Sequence, residues 1–303
     1  MLNLTAMGLQ VSEIERVGSL SVEAFRRTYY KTKTPVVIEG GASSWTRRWS
    51  FDWLDEKYGS QEIAFSTDPV GAEKVGRVRL RDYLRSLDAT DAYGDQLEAS
   101  DFRGISGYYE VPAYVPMPRQ LTVALWVGPS GTIAHFHKDY YYQIPFLRNE
   151  NCFVQICGKK QFVLVPPAYD DCMCTASSDS TNVKSEILLN AWDRAKHPRL
   201  AEARMMQTVV GPGDILYLPR DHWHYVTSLE KSISLSFWWY PESLVDKLMT
   251  YRAQLEAGRD PGLPAITAQD VEEFGGMDRV MHACSMLPPG FRQMLTAAVG
   301  MAR

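Results

Sequence analysis

The chain has 303 residues, 45% of them hydrophobic, and carries 32 Lys and Arg against 36 Asp and Glu for a formal net charge of −4. That length holds one large domain with a sizeable core, or a domain of about 240 residues with an appendage. With no run of five like charges, the composition argues against a polybasic partner for nucleic acid or an anionic membrane.

The opening MLNLTAMGLQVSEIERVGSL lacks a basic start and an unbroken apolar core, and no later segment is apolar over the length a membrane helix needs. A soluble, cytoplasmic protein is expected. Five cysteines, Cys152, Cys157, Cys172, Cys174 and Cys284, are an odd count in a chain too large to need staples, so they read as reduced thiols. Residues 1–120 read as an α/β flank. A helix is expected in SVEAFRRTYYKT with Ser21 as its cap, a strand in PVVIEG closed by Gly40-Gly41, and a helix in SFDWLDEKYG capped by Ser50. RLRDYLRSL adds another helix among short strands.

From 121 to 242 the texture changes to short β-rich runs, LTVALWVG, IAHFH, CFVQICG, KQFVLVPP, DILYLP, HYVTSL and SISLSFWWYP, separated by Gly, Pro or Asp. Many short strands without intervening helices predict a mainly β protein with flanking helices, built as a barrel or jelly roll. A polar loop with some helical sequence interrupts them at about 168–205. Residues 243–303 form a C-terminal helical tail, with Leu244, Leu248 and Tyr251 on one face of ESLVDKLMTYRAQLEAG. Such a face needs a partner, either the chain's own core or a second subunit in a homodimer.

Within IAHFHKDYYY, His137 and Asp139 stand two apart, and on a strand such residues point to one face. One distant His then completes a set of two imidazoles and one carboxylate that leaves positions free on iron. Both His222 and His224 in GPGDILYLPRDHWHYV share the needed face, about 85 residues on, and spacing alone leaves them equivalent.

In order, LWVGPSGTIAHFHKD, FVQICGKKQFVLVPP, VVGPGDILYLPRDHWHYVTSL and ISLSFWWYP resemble the JmjC hydroxylases of the cupin-like group. TPVVIEGGASSW and SFDWLDEKYG resemble that group's entry region, so the likeness covers about 15–242. The resemblance implies a double-stranded β-helix, Fe(II), 2-oxoglutarate as co-substrate and O2. It places the metal ligands at His137, Asp139 and His224, the first chosen over His135 by a gapless count from Trp126-Val127-Gly128. Lys160 matches the lysine that meets the far carboxylate of 2-oxoglutarate, a charge costly to bury without a cation. Tyr109, or Tyr108 beside it, is the candidate hydroxyl donor to the same group. His135, His222, Trp238 and Tyr141 are expected around the substrate pocket.

Two positions depart from the pattern. Ala134 stands where many relatives carry a co-substrate-binding Thr, leaving Thr132, Tyr141 or Gln143 to serve instead. Gln143 stands where relatives carry Asn, and IPFLRNEN follows it as an insertion of about eight residues beside the metal. The expected activity is hydroxylation of a C–H bond in a protein or peptide side chain, with release of succinate and CO2. A small-molecule tailoring oxygenase and a non-oxidative metal cupin are the alternatives.

Overall fold

The computed structural model describes residues 1–66, 76–116, 121–141, 144–176 and 183–239, and then 254, 257–259, 266–274 and 276. Two compact units divide it, one of residues 1–116 and 121–238 and one of 117–120 and 239–303.

In the first unit, β1 (Gln10–Glu13), β2 (Arg16–Val17), α1 (Val22–Phe25), β3 (Val36–Ile38), α2 (Ser43–Thr46), α3 (Phe51–Tyr58), β4 (Glu62–Phe65), β5 (Gly76–Arg79), α4 (Leu80–Ser86) and β6 (Gly94–Glu98) lead into the core. There follow β7 (Thr122–Gly128), β8 (Ile133–Lys138), β9 (Tyr140–Tyr141), β10 (Ile144–Arg148), β11 (Glu150–Cys157), β12 (Lys160–Val165), β13 (Val183–Lys184), β14 (Arg204–Val210), β15 (Ile215–Leu218), β16 (Trp223–Ser228) and β17 (Ser232–Trp239). Ser21 and Ser50 cap α1 and α3, accepting from the Ala24 and Trp53 amides, because a short hydroxyl side chain satisfies donors that the first turn leaves free.

Two sheets make the jelly roll. One runs β1-β14-β12-β16-β8-β13 and the other β2-β3-β15-β11-β17-β7-β6. The α/β flank is therefore woven into both sheets through β1, β2, β3 and β6. Phe153 and Leu216 of one sheet meet Phe162 and Leu164 of the other in an apolar layer, with the Phe153 and Phe162 ring centres 4.9 Å apart. The outer face of the six-stranded sheet is covered too. Val163, Val165, Trp223 and Tyr225 pack against Met173, Ile187, Leu189 and Leu200 from the 168–205 segment. With both faces covered, every residue of β12 is buried, which is why KQFVLV shows no alternation of polar and apolar residues. Gly158 turns β11 into β12 at φ +71°, and a Cβ there would lie 2.2 Å from the Lys231 carbonyl oxygen.

The residues after Gln143 form β10, which pairs antiparallel with β9. Gln143 itself lies outside the described residues. In the second unit, Thr267 and Asp270 cap α5 (Ala268–Phe274) reciprocally, each side chain accepting from the other's amide. The helix expected in ESLVDKLMTYRAQLEAG, and with it the surface for a homodimer, falls almost wholly outside the described residues. Among the described residues no helix is long and apolar enough to cross a membrane.

Candidate metal centre

Register brings the three predicted ligands together. β16 pairs antiparallel with β8 so that His224 lies directly opposite His137, and the ring centres are 4.0 Å apart. Asp139, two residues beyond His137, joins them, and ligand atoms from all three lie within 4.8 Å of one another. It is the one such cluster among the described residues.

The tautomers suit a cation. His137 Nδ1 lies 2.7 Å from the His135 carbonyl and His224 Nδ1 3.2 Å from that of His222. A carbonyl only accepts, so each neutral ring carries its proton on Nδ1 and keeps its Nε2 lone pair. Those Nε2 atoms face Asp139 Oδ1 at 3.8 and 3.5 Å. The other oxygen, Oδ2, accepts from Trp238 Nε1 at 3.0 Å and from Asn151 Nδ2 at 3.4 Å. Each ligand thus has an outer partner fixing its orientation.

Burial, and then the neighbouring His224, push His137 down to about 3. Burial alone would raise the Asp139 carboxyl, but His224, His137 and the Trp238 N–H outweigh it and hold it at about 2. A neutral His137 imidazole beside an ionised carboxylate, with His224 Nε2 facing the same oxygen, is a donor set that suits a divalent cation. Metal-free protein will consequently lose stability in acid. An unfolded chain protonates this His near 6.5 and the folded chain only near 3, so U binds more protons across that window and stability falls as pH drops through it. The urea midpoint should be lower at pH 5 than at pH 7, and less so for His137→Phe; an equal drop in both would assign the effect elsewhere.

A cleft of about 520 Å³, counting its solvent-open part, runs from this cluster to Lys160. Tyr93, Trp126, Thr132, Ala134, Asn151, Phe153, Phe162, Leu218, Val226, Ser228, Ser236 and Trp238 complete its lining. Lys160, 3% exposed, donates to the Tyr93 hydroxyl at 2.9 Å, while Lys159 points outward and pairs with Glu230. Thr132 lines the cleft with its hydroxyl donating to the Pro129 carbonyl.

Several expectations change. Tyr109 does not line the cleft, and its ring packs edge-on against Phe237, whose neighbour Trp238 faces the other way into the site. Tyr108 packs on Trp53. The tyrosine hydroxyl beside Lys160 is that of Tyr93, from the loop before β6. His135 leaves the cleft because β8 bulges. The four β8 residues from Ala134 to His137 face only three of β16, from Val226 to His224, so Ala134 turns inward and His135 lies against Tyr225. His222 is buried outside the lining, and burial lowers its pKa. The Tyr141 side chain and Gln143 lie outside the described residues.

Asn151 was not anticipated. The insertion precedes it, so a count forward from Asp139 reaches Gln143 instead. The available signal was local: Asn151 and Phe153 alternate on β11 and share the inward face.

A model of the cupin-like domain matches residues 22–244, most of the chain. The chain belongs to the cupin-like family. That family includes the JmjC oxygenases, which use Fe(II) and 2-oxoglutarate. The chain is 28% identical over 246 residues to lysine-specific demethylase 8 of Danio rerio, covering 75% of this chain and 58% of that one. It is 27% identical over 260 residues to lysine-specific demethylase JMJ30 of Arabidopsis thaliana, with 79% and 58% covered. It thus spans a little over half the length of these relatives. It is 23% identical over 312 residues to tRNA wybutosine-synthesizing protein 5 of Gallus gallus, covering 92% of this chain and 91% of that one.

At a protein metal site an outer partner is worth roughly 10–100-fold in metal affinity. Trp238→Phe, which keeps the ring but removes the N–H bonded to Asp139, should weaken metal binding by about that factor. Unchanged affinity in a titration of the metal-free variant would remove Trp238 from this role.

Proposed function

We propose that the chain is an Fe(II)- and 2-oxoglutarate-dependent oxygenase that hydroxylates a C–H bond of a protein or peptide side chain. The observation that carries this reading is the sharing of one cleft by the His137, Asp139 and His224 donors and the buried Lys160–Tyr93 pair. His224 pairs with Leu164 and Ser228 with Lys160, so the two groups stand four strand residues apart. At about 3.4 Å per residue that is roughly 14 Å, a gap that a five-carbon dicarboxylate and an inward-reaching Lys side chain span together.

In this reading His137 and His224 hold iron through Nε2 and Asp139 through Oδ1. Bound there, Fe(II) with 2-oxoglutarate and O2 supplies the oxidising chemistry, giving succinate, CO2 and a hydroxylated product. Trp238 and Asn151 keep Asp139 aimed, and Lys160 with Tyr93 receives the far carboxylate. Phe153, Phe162, Leu218 and Val226 give the cleft apolar walls that limit water. The chain's contribution is orientation and exclusion, with no protein acid, base or nucleophile in the central step.

A protein side chain as substrate is supported by the similarity to two lysine-specific demethylases. A tRNA base is the second reading, favoured by the near full-length match to the wybutosine-synthesizing protein, although a net charge of −4 works against phosphate binding. Succinate release measured with protein, tRNA and small-metabolite pools, with products checked for the gain of one oxygen atom, decides among them. The oxygenase reading predicts a visible absorption band when Fe(II) and 2-oxoglutarate are added without oxygen. Metal uptake with no such band would favour a non-oxidative cupin.

A further inference from the structure

The strands that carry the candidate ligands hold a second polar group on their other face. Lys138 sits between His137 and Asp139, and Trp223 immediately precedes His224. Because His137 pairs with His224, Lys138 and Trp223 stand opposite each other across β8 and β16. The Lys138 ammonium, 2% exposed, lies 4.9 Å from the centre of the Trp223 ring.

Both donate to one carboxylate. Asp170 accepts from Lys138 Nζ at 2.6 and 2.7 Å and from Trp223 Nε1 at 2.9 Å. Asp170 belongs to the turn Pro167–Cys172 that follows β12, the strand on the far side of β16. One carboxylate therefore joins β8, β16 and the exit of β12 directly behind the ligand cluster.

That junction stands beside an irregularity in the register. The β8–β16 ladder shifts between His224 and Val226, and the outer neighbour of β8 is the two-residue strand β13. Where a ladder is irregular its register needs fixing by other contacts, because a slip of one residue carries every side chain to the opposite face. For His137 and Asp139 such a slip would take both away from His224.

We propose that Asp170 is a positioning residue for the metal centre, holding β8 against β16 through Lys138 and Trp223 so that the three ligand atoms keep their mutual placement. The proposal rests on the metal-centre reading given above. Asp170 itself is half exposed, so its role is that of a clamp on two buried neighbours and not of a core residue.

The test titrates metal-free protein with Co(II), read by its visible absorption, with circular dichroism recorded on the same samples. Asp170→Ala should weaken Co(II) binding by about 10–100-fold and alter the band shape, as loss of an outer partner does. Asp170→Asn, which keeps an acceptor for the indole, should recover part of the affinity. Wild-type affinity and band shape in folded Asp170→Ala would overturn the proposal, even if its melting temperature had dropped, since a purely structural brace predicts that combination. Should Asp170→Ala fail to fold, Lys138→Met breaks the same link with little change in volume, and wild-type Co(II) binding there overturns the proposal equally. If wild-type protein gives no Co(II) signal, or Asp139→Ala keeps it, the metal-centre reading fails and the proposal with it.

Discussion

Asp139→Ala should abolish Fe(II) binding and with it both the anaerobic absorption band and succinate formation. The reason lies in what would remain. His137 and His224 would offer two neutral nitrogens with no compensating charge, and the Trp238 and Asn151 donors that aim Asp139 would face an empty methyl. Loss of an outer partner costs a metal site roughly 10–100-fold, and loss of its one anionic ligand should exceed that. The fold should survive, because Asp139 stands at the end of β8 and outside the apolar layers. A variant that keeps its circular dichroism and still binds Fe(II) as wild type does would place the metal elsewhere.

Lys160→Met should leave Fe(II) affinity nearly intact while weakening 2-oxoglutarate. Methionine keeps the length and apolar stem of a side chain that lies between the Tyr93 and Phe153 rings, so packing changes little. What disappears is the buried cation. A carboxylate brought into such a site without it loses at least about 2 kcal/mol, or roughly thirtyfold in affinity. Separate titrations of Fe(II) and of 2-oxoglutarate distinguish the two effects. An unchanged affinity for the oxoacid would show that its far end is held by something other than Lys160.

The contrast between these two residues and Tyr109 shows how far the sequence could be read. Asp139 follows from strand geometry, since its spacing from His137 fixes their common face whatever lies beside them. Lys160 and Phe162 likewise share a face by alternation along β12. Tyr109 was a choice of partner for Lys160 across more than fifty residues of chain, and alternation says nothing about such a pairing. Tyr93 holds the place because β6 pairs with β7 at the edge of the seven-stranded sheet, which brings the loop before β6 alongside the cleft.

His135 was lost to the bulge. A regular β8 would put it on the face of His137, but the extra residue between Ala134 and His137 reverses the phase. Asn151 was missed for a related reason: β10 lengthens the path from Asp139 without changing where β11 enters the cleft.

By itself, then, the sequence determined the jelly roll and the inward set of each regular strand through short-range periodicity, while the choice of His137, His224 and Lys160 followed from the resemblance that its ordered motifs carry. Only the tertiary structure decided that Trp238 and Asn151 hold Asp139, that Tyr93 meets Lys160, and that Asp170 binds the strands from behind. Those contacts depend on register between strands far apart in the chain. Register is settled by the joint packing of both sheets and by irregularities such as the β8 bulge, which no local pattern in the sequence records.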